Sequence, residues 1–177
     1  GEPTIHLNKL LNEGNPTYPS IITNWGYGGS ATAISTGNGL GRISSNLTTA
    51  RSSYADAQCS KCLVLILYGT NDFGVGIGSS DTGANIGSMI DIARSRGFDP
   101  IIGLVPPHTG LNVVDLNSKI TAAANAKNAP VVDHYSVIGP CPSPCSTLMV
   151  YEHFTSGAYG YLHPNKAGYQ AIAQNWF

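Results

Sequence analysis

The chain has 177 residues, 42% of them hydrophobic, enough for one domain with a sizeable core, which excludes a disordered tail or a coiled coil. Nine Lys and Arg against ten Asp and Glu leave a formal charge of -1, so no basic footprint for nucleic acid or an anionic lipid surface is present. Charged residues make up 11%, against about 25% in ordinary soluble domains, and Gly, Ser, Thr and Asn carry the polarity, the flavour of an exported protein.

Residues 4–13 (Ile5, Leu7, Leu10, Leu11) have helical spacing, and Ser20 to Asn24 read as extended before the glycine-rich stretch Gly26 to Gly29. A second helix is expected over residues 41–56, where Ile43, Leu47, Ala50 and Tyr54 share a face. Leu63 to Tyr68 is an apolar run closed by Gly69, the pattern of a buried parallel strand covered on both faces. It is also the longest strongly apolar run, far short of the roughly 20 residues of a membrane span. A third helix is predicted from about Asp81 to Arg96, with Ile86, Met89, Ile90 and Ala93 inward and Gly97 as its stop. A strand follows at Pro100 to Val105, then a helix over residues 112–127 (Val113, Leu116, Ile120, Ala124) and a strand at Pro130 to Tyr135. Pro164 to Trp176 close the chain as a helix with proline in its first turn. This alternation predicts an α/β fold, a parallel sheet with helices on both faces and right-handed connections, whose ligands sit outside the carboxyl ends of the strands. The loops after residues 24, 68, 105 and 138 then share one rim.

Three polar clusters fall on that rim: Asn24-Trp25-Gly26-Tyr27-Gly28-Gly29, Gly69-Thr70-Asn71-Asp72 and Tyr161-Leu162-His163-Pro164-Asn165. Here the chain resembles the SGNH hydrolases, the GDSL esterase and lipase family. The family's N-x-G-x-x-G is matched by Asn24, Gly26 and Gly29, and its G-x-N-D by Gly69, Asn71 and Asp72. Of its D-x-x-H-P, His163 and Pro164 are present, followed by Asn165, Ala167, Gly168 and Tyr169 in the family's style. The resemblance covers nearly the whole chain. It implies a three-layer, flavodoxin-like sandwich and ester hydrolysis through an acyl-enzyme, with no cofactor and no metal. His163 would be the base, and the oxyanion hole would combine the nucleophile's own N–H, the Gly29 N–H and the Asn71 side chain. Each role has a physical demand: fixed donors where negative charge develops, a backbone without Cβ for close approach, and an imidazole that titrates near neutrality.

Two parts of the pattern are absent. No Gly-Asp-Ser precedes the helix at residues 4–13, where the family carries its nucleophile after a central first strand. The expectation is a single domain over residues 1–177 that lacks this strand and is N-terminally incomplete, the nucleophile standing on an upstream or separate segment. A sheet without its central strand leaves backbone groups unpaired, which is costly when they are buried. Position 160, three before His163, is Gly where the family has Asp. A Ser-His dyad is the plainer reading, and a backbone carbonyl, Glu152 or Asp133 are the substitutes for the acid. Ser30 follows Gly29, but Thr32 stands where a G-x-S-x-G elbow requires Gly, so Ser30 reads as the start of a loop.

The rim holds neither a Gly-Lys-Ser/Thr ending nor a G-x-G-x-x-G that opens a helix, so a nucleotide site is not expected. His6, His108, His134 and His153 share no ligand spacing and read as surface or structural. Cys59 with Cys62 and Cys141 with Cys145 read as two local disulfides at opposite ends of the sheet rather than one zinc site or a redox pair, and they imply an oxidising compartment, secreted or periplasmic. Trp25, Tyr27, Phe73, Tyr159 and Tyr161 either line an acyl or sugar pocket or cover the sheet end. The expected function is hydrolysis of a small acyl ester or an acetylated carbohydrate. The rival is a non-catalytic carbohydrate-binding relative that keeps the fold.

Overall fold

Three short strands pair in parallel, in the order β1 (Leu63–Ile66), β2 (Asp99–Gly103) and β3 (Val131–Val132). The register sets Leu63 against Asp99 and Ile66 against Ile102, and then Ile102 against Val131. The computed structural model describes residues 22–33, 38–53, 62–141, 147–153 and 159–176, so the expected helix over residues 4–13 lies outside it. The chain divides into two compact units. Tyr27–Val105 with Asn112–Val132 hold the parallel sheet; Gly1–Gly26, Pro106–Leu111 and Asp133–Phe177 form the other.

The parallel sheet is flanked by helices, as an α/β fold requires. Helices α1 (Gly39–Ser53), α2 (Ser79–Ser95) and α3 (Val113–Ala126) follow the apolar periods read from the sequence. Ile86, Met89, Ile90 and Ala93 of α2 are buried, as are Val113, Leu116, Ile120 and Ala124 of α3. Asp81 in the first turn of α2 and Arg94 in its last both suit the helix dipole, and Gly97 takes a positive φ of 77° beyond its end. The end of β2 is fixed by a buried amide: Asn117 Oδ1 accepts from Val105 N at 2.8 Å, and its Nδ2 donates to Val105 O at 2.9 Å. Both backbone groups of Val105 are thereby satisfied where the ladder stops.

Several boundaries differ from the sequence reading. The strand expected over residues 63–68 ends at Ile66, and Leu63 is 54% exposed, so only its last residue is buried. Among the described residues β1 has a partner on one side only. The strand expected at Pro130 to Tyr135 is reduced to Val131–Val132, because the Asp133 side chain accepts from Ser136 N and starts a short helix, α4 (His134–Ile138). Pro164 does not open the last helix; it ends a strand. That strand, β5 (Tyr159–Pro164), pairs antiparallel with β4 (Met149–His153), and neither was anticipated. The helix proper, α5 (Lys166–Asn175), begins after Asn165, whose Oδ1 accepts from Gly168 N at 3.0 Å.

In this second unit Ile138, Met149 and Ile172 form a core closed by Leu148, Tyr161 and Trp176. His134 is fully buried beside it, edge-on to Trp176 at 4.5 Å, with Nδ1 3.2 Å from the Asn175 amide. Burial lowers its pKa to about 4, against a smaller opposing pull from Asp133. Above pH 6.5 the ring is neutral folded or unfolded, whereas between about pH 6.5 and 4 the unfolded chain takes up a proton that the folded chain refuses. Stability should therefore fall by about 3 kcal/mol across that window and stop falling below it on this account. Urea unfolding at pH 7 and pH 4.5 measures the slope, and His134→Phe should remove that part of it; an identical slope in the variant would show that another group is responsible.

Candidate active site

The unit with the parallel sheet builds a donor-rich corner at the end of β1. Gly69 has φ of 122°, and a Cβ there would lie 3.3 Å from both Thr82 Cγ2 and Val105 Cγ2, so the turn out of the strand requires glycine. Two residues on, the Asn71 side chain donates to Ser30 O at 3.1 Å, which sets the amide beside the Tyr27–Ser30 turn with its second N–H pointing elsewhere. That turn is closed by Ser30 N donating to Tyr27 O at 3.2 Å, with Gly29 at φ 75°. Among the described residues, apart from its chain neighbours, nothing stands within 4 Å of where a Gly29 Cβ would lie.

Asp72 holds this corner rigid. Its carboxylate is fully buried and accepts from Thr32 N at 2.7 Å, Thr32 Oγ1 at 2.6 Å and Thr82 Oγ1 at 2.5 Å. Asn85 Nδ2 in turn donates to Thr32 Oγ1 at 2.9 Å. The loop of Gly29, the loop of Asn71 and helix α2 are thus fastened to one carboxylate. Ser30 is only 6% exposed, with Oγ 3.5 Å from Ala31 O, a poor position for attack on an incoming ester.

The other unit presents His163 on β5. Its Nδ1 lies 2.8 Å from Glu152 Oε1, and the same oxygen accepts from the His163 backbone N–H at 3.1 Å. Glu152 stands opposite Gly160 across the β4–β5 pair. Asp133, the other carboxylate weighed from the sequence, is engaged elsewhere: it accepts from Ser136 N at 3.0 Å and Ser136 Oγ at 2.5 Å. The loop Pro106–Leu111 is fixed to β5 by Thr109 N donating to Tyr161 O at 2.9 Å and Tyr161 N donating to Thr109 Oγ1 at 3.0 Å. It brings His108 into the electrostatic reach of His163 and Glu152. Burial lowers the pKa of His108 and outweighs its hydrogen bond to Thr109 O, so at neutral pH His108 adds no positive charge to this corner.

The structure therefore joins Gly29 and Asn71 through the Asn71–Ser30 bond, and it sets His163 in its own unit with a carboxylate attached. Sequence reasoning missed the polar node around Asp72 and treated His108 as incidental; only the G-x-N-D pattern pointed toward the first. Among the aromatics, Tyr27 carries the Arg42 guanidinium 4.2 Å above its ring, and Tyr151 packs on Tyr161 at 5.1 Å. Trp25 and Phe73 are partly exposed, at 39% and 42%. An open groove of about 360 Å³ along α2 and α3, walled by Gly83, Ala84, Gly87 and Ala123, takes no part in this chemistry. Among the described residues no group of three or more His, Cys, Asp or Glu is placed to hold a metal ion, and no helix is long and apolar enough to cross a membrane.

The parallel sheet is flanked by helices, and the Gly69-Thr70-Asn71-Asp72 turn lies just beyond β1. The sequence model of the GDSL-like lipase/acylhydrolase family matches residues 5–171, and the chain belongs to that family. Its fold is similar to a member of the lipolytic protein G-D-S-L family from Veillonella parvula DSM 2008, with 20% identity, 96% of this chain and 84% of that one covered, and a TM-score of 0.66. It is also similar to Axe2, an acetylxylan esterase from Geobacillus stearothermophilus, at 15% identity, covering 99% and 79% of the two chains with a TM-score of 0.65. The psychrotrophic esterase EstA from Pseudoalteromonas sp. gives 20% identity, 95% and 81% coverage, and a TM-score of 0.61. At these identities the likeness is one of fold. No curated protein matches the chain. Family membership supports a hydrolase of the esterase type.

Proposed function

We propose that the protein hydrolyses a carboxylic ester through a serine acyl-enzyme, on a small acyl ester or an acetylated carbohydrate. His163 takes the nucleophile's proton and returns it to the leaving alcohol, while Gly29 N–H and the free N–H of Asn71 steady the oxyanion. The observation that carries this reading is the Asn71–Ser30 hydrogen bond, which sets a neutral amide beside the turn that holds Gly29. Two neighbouring donors, held before substrate arrives, are what a developing oxyanion requires. No Gly-Asp-Ser block occurs in residues 1–177, and the reading takes the nucleophile to stand on a preceding or separate segment. Secretion to an oxidising compartment belongs to the same proposal. Two local disulfides, Cys59 with Cys62 and Cys141 with Cys145, are part of it too; Cys59 and Cys145 lie outside the described residues.

The test is fluorophosphonate labelling of the full-length natural protein with peptide mapping of the adduct, alongside turnover of a chromogenic acetyl ester. Asn71→Ala should lower kcat by about 100- to 1,000-fold with little change in KM. Adduct on Ser30 would overturn the nucleophile assignment. Absence of both label and turnover, with retained binding of a xylo-oligosaccharide, would favour the non-catalytic carbohydrate-binding alternative.

A further inference from the structure

The acid that the family carries three residues before its histidine is missing here, since that position is Gly160. Across the β4–β5 pair, the residue facing Gly160 is Glu152. Gly160 brings no side chain of its own to the space between Glu152 and the neighbouring strand. A regular strand would not let them meet. Residues 161 and 163 share one face by the two-residue alternation, and Tyr161, opposite Tyr151, lies on the face away from Glu152. The register, however, shifts between Met149 and Tyr151: Tyr151 faces Tyr161 while Met149 faces Pro164. Two steps along β4 are matched by three along β5, so β5 carries one extra residue, a bulge, between Tyr161 and Pro164. Beyond the bulge the alternation is reversed, and His163 turns onto the face of Glu152 and Gly160. The result is the 2.8 Å contact of His163 Nδ1 with Glu152 Oε1, reinforced by the His163 backbone N–H on the same oxygen at 3.1 Å.

We propose that Glu152 is the positioning residue for His163, a carboxylate supplied from the partner strand in place of the acid absent at Gly160. The inference rests on the ester-hydrolase reading above. An ionised carboxylate on Nδ1 fixes the tautomer with Nδ1–H, which leaves Nε2 as the acceptor for the nucleophile's proton. When Nε2 takes that proton, Glu152 remains ionised and faces the imidazolium; the proton then leaves from Nε2 to the alkoxide of the departing alcohol, and the histidine returns neutral. The backbone N–H bond to the same oxygen helps hold the carboxylate at Nδ1. Of the readings the sequence leaves open, a bare Ser-His dyad or a substitute acid, the proposal takes Glu152 as that acid, with acid and base on different strands.

The experiment compares the full-length natural protein with Glu152→Gln, Glu152→Ala and His163→Ala on a chromogenic acetyl ester, with thermal unfolding of each. Glu152→Gln should lower kcat by about 100- to 10,000-fold, since an amide in this place can favour the wrong tautomer, while KM and the unfolding midpoint stay near the natural values. In Glu152→Ala, added formate should restore kcat in a saturable way, as a merely structural side chain would not permit. Unchanged kcat in Glu152→Gln beside an inactive His163→Ala would overturn the positioning role and leave the hydrolase reading standing. Loss of kcat in Glu152→Ala without any return on adding formate would also overturn it. Natural protein without turnover, or His163→Ala with full turnover, would bring down the hydrolase reading and this inference with it.

Discussion

His163→Ala is expected to lower kcat for ester hydrolysis by about 10,000-fold or more, with KM changed far less, because removing the base of an acyl-transfer site leaves only binding and oxyanion stabilisation. The side chain is 60% exposed and makes its contact with Glu152 from the rim of the hairpin, so its removal creates no cavity. A fall in activity without a fall in the unfolding midpoint therefore reads chemistry rather than folding. Turnover within two- or three-fold of the natural protein would remove His163 from the mechanism.

Asp72→Ala should produce the largest loss of stability, about 3 kcal/mol, together with a fall in kcat of the size expected for Asn71→Ala. Three donors converge on this buried carboxylate, and each orphaned donor costs about 1–3 kcal/mol. The costs are not equal. Thr82 Oγ1 has a second acceptor, Gly78 O, at 3.2 Å and can turn to it. Thr32 N–H is a fixed backbone donor, which cannot turn to a new acceptor as a hydroxyl can. The same change removes the Thr32–Asp72 tie between the two loops and leaves the Asn71–Ser30 bond to hold them, so the oxyanion donors keep their spacing less firmly. Urea unfolding and acetyl-ester kinetics on one preparation read both effects; a stability loss under about 1 kcal/mol would mean that the corner is held by other contacts.

How much of this was legible depends on whether the information is local. Helices α2 and α3 carry their apolar residues at uninterrupted helical spacing, and Gly97 and Asn112 mark an end and a start, so both were found to within about two residues. Gly69, Asn71 and Asp72 were recognisable as a block, yet the function of Asp72 lies in Thr32 and Thr82, which are 40 and 10 residues away. The hairpin was missed for a physical reason. Tyr159 to Pro164 includes a glycine and ends in proline, both poor strand signals, and the His-Pro-Asn segment looks like a helix start. Residues 130–135 were misjudged because Asp133 acts as a cap, a choice that tertiary packing of His134 makes and local propensity does not. The place of Glu152 depends on a register and one inserted residue, neither of which is written in either strand alone.

Turnover by this mechanism requires a proton to move through His163 to and from a serine acylated by substrate. The most direct measurement is the intact mass of natural protein and His163→Ala after reaction with a fluorophosphonate at neutral pH. A stoichiometric, single adduct on the natural protein and almost none on His163→Ala over the same interval is the predicted outcome. Equal labelling of both, or ester turnover by a natural protein that takes no label, would contradict it.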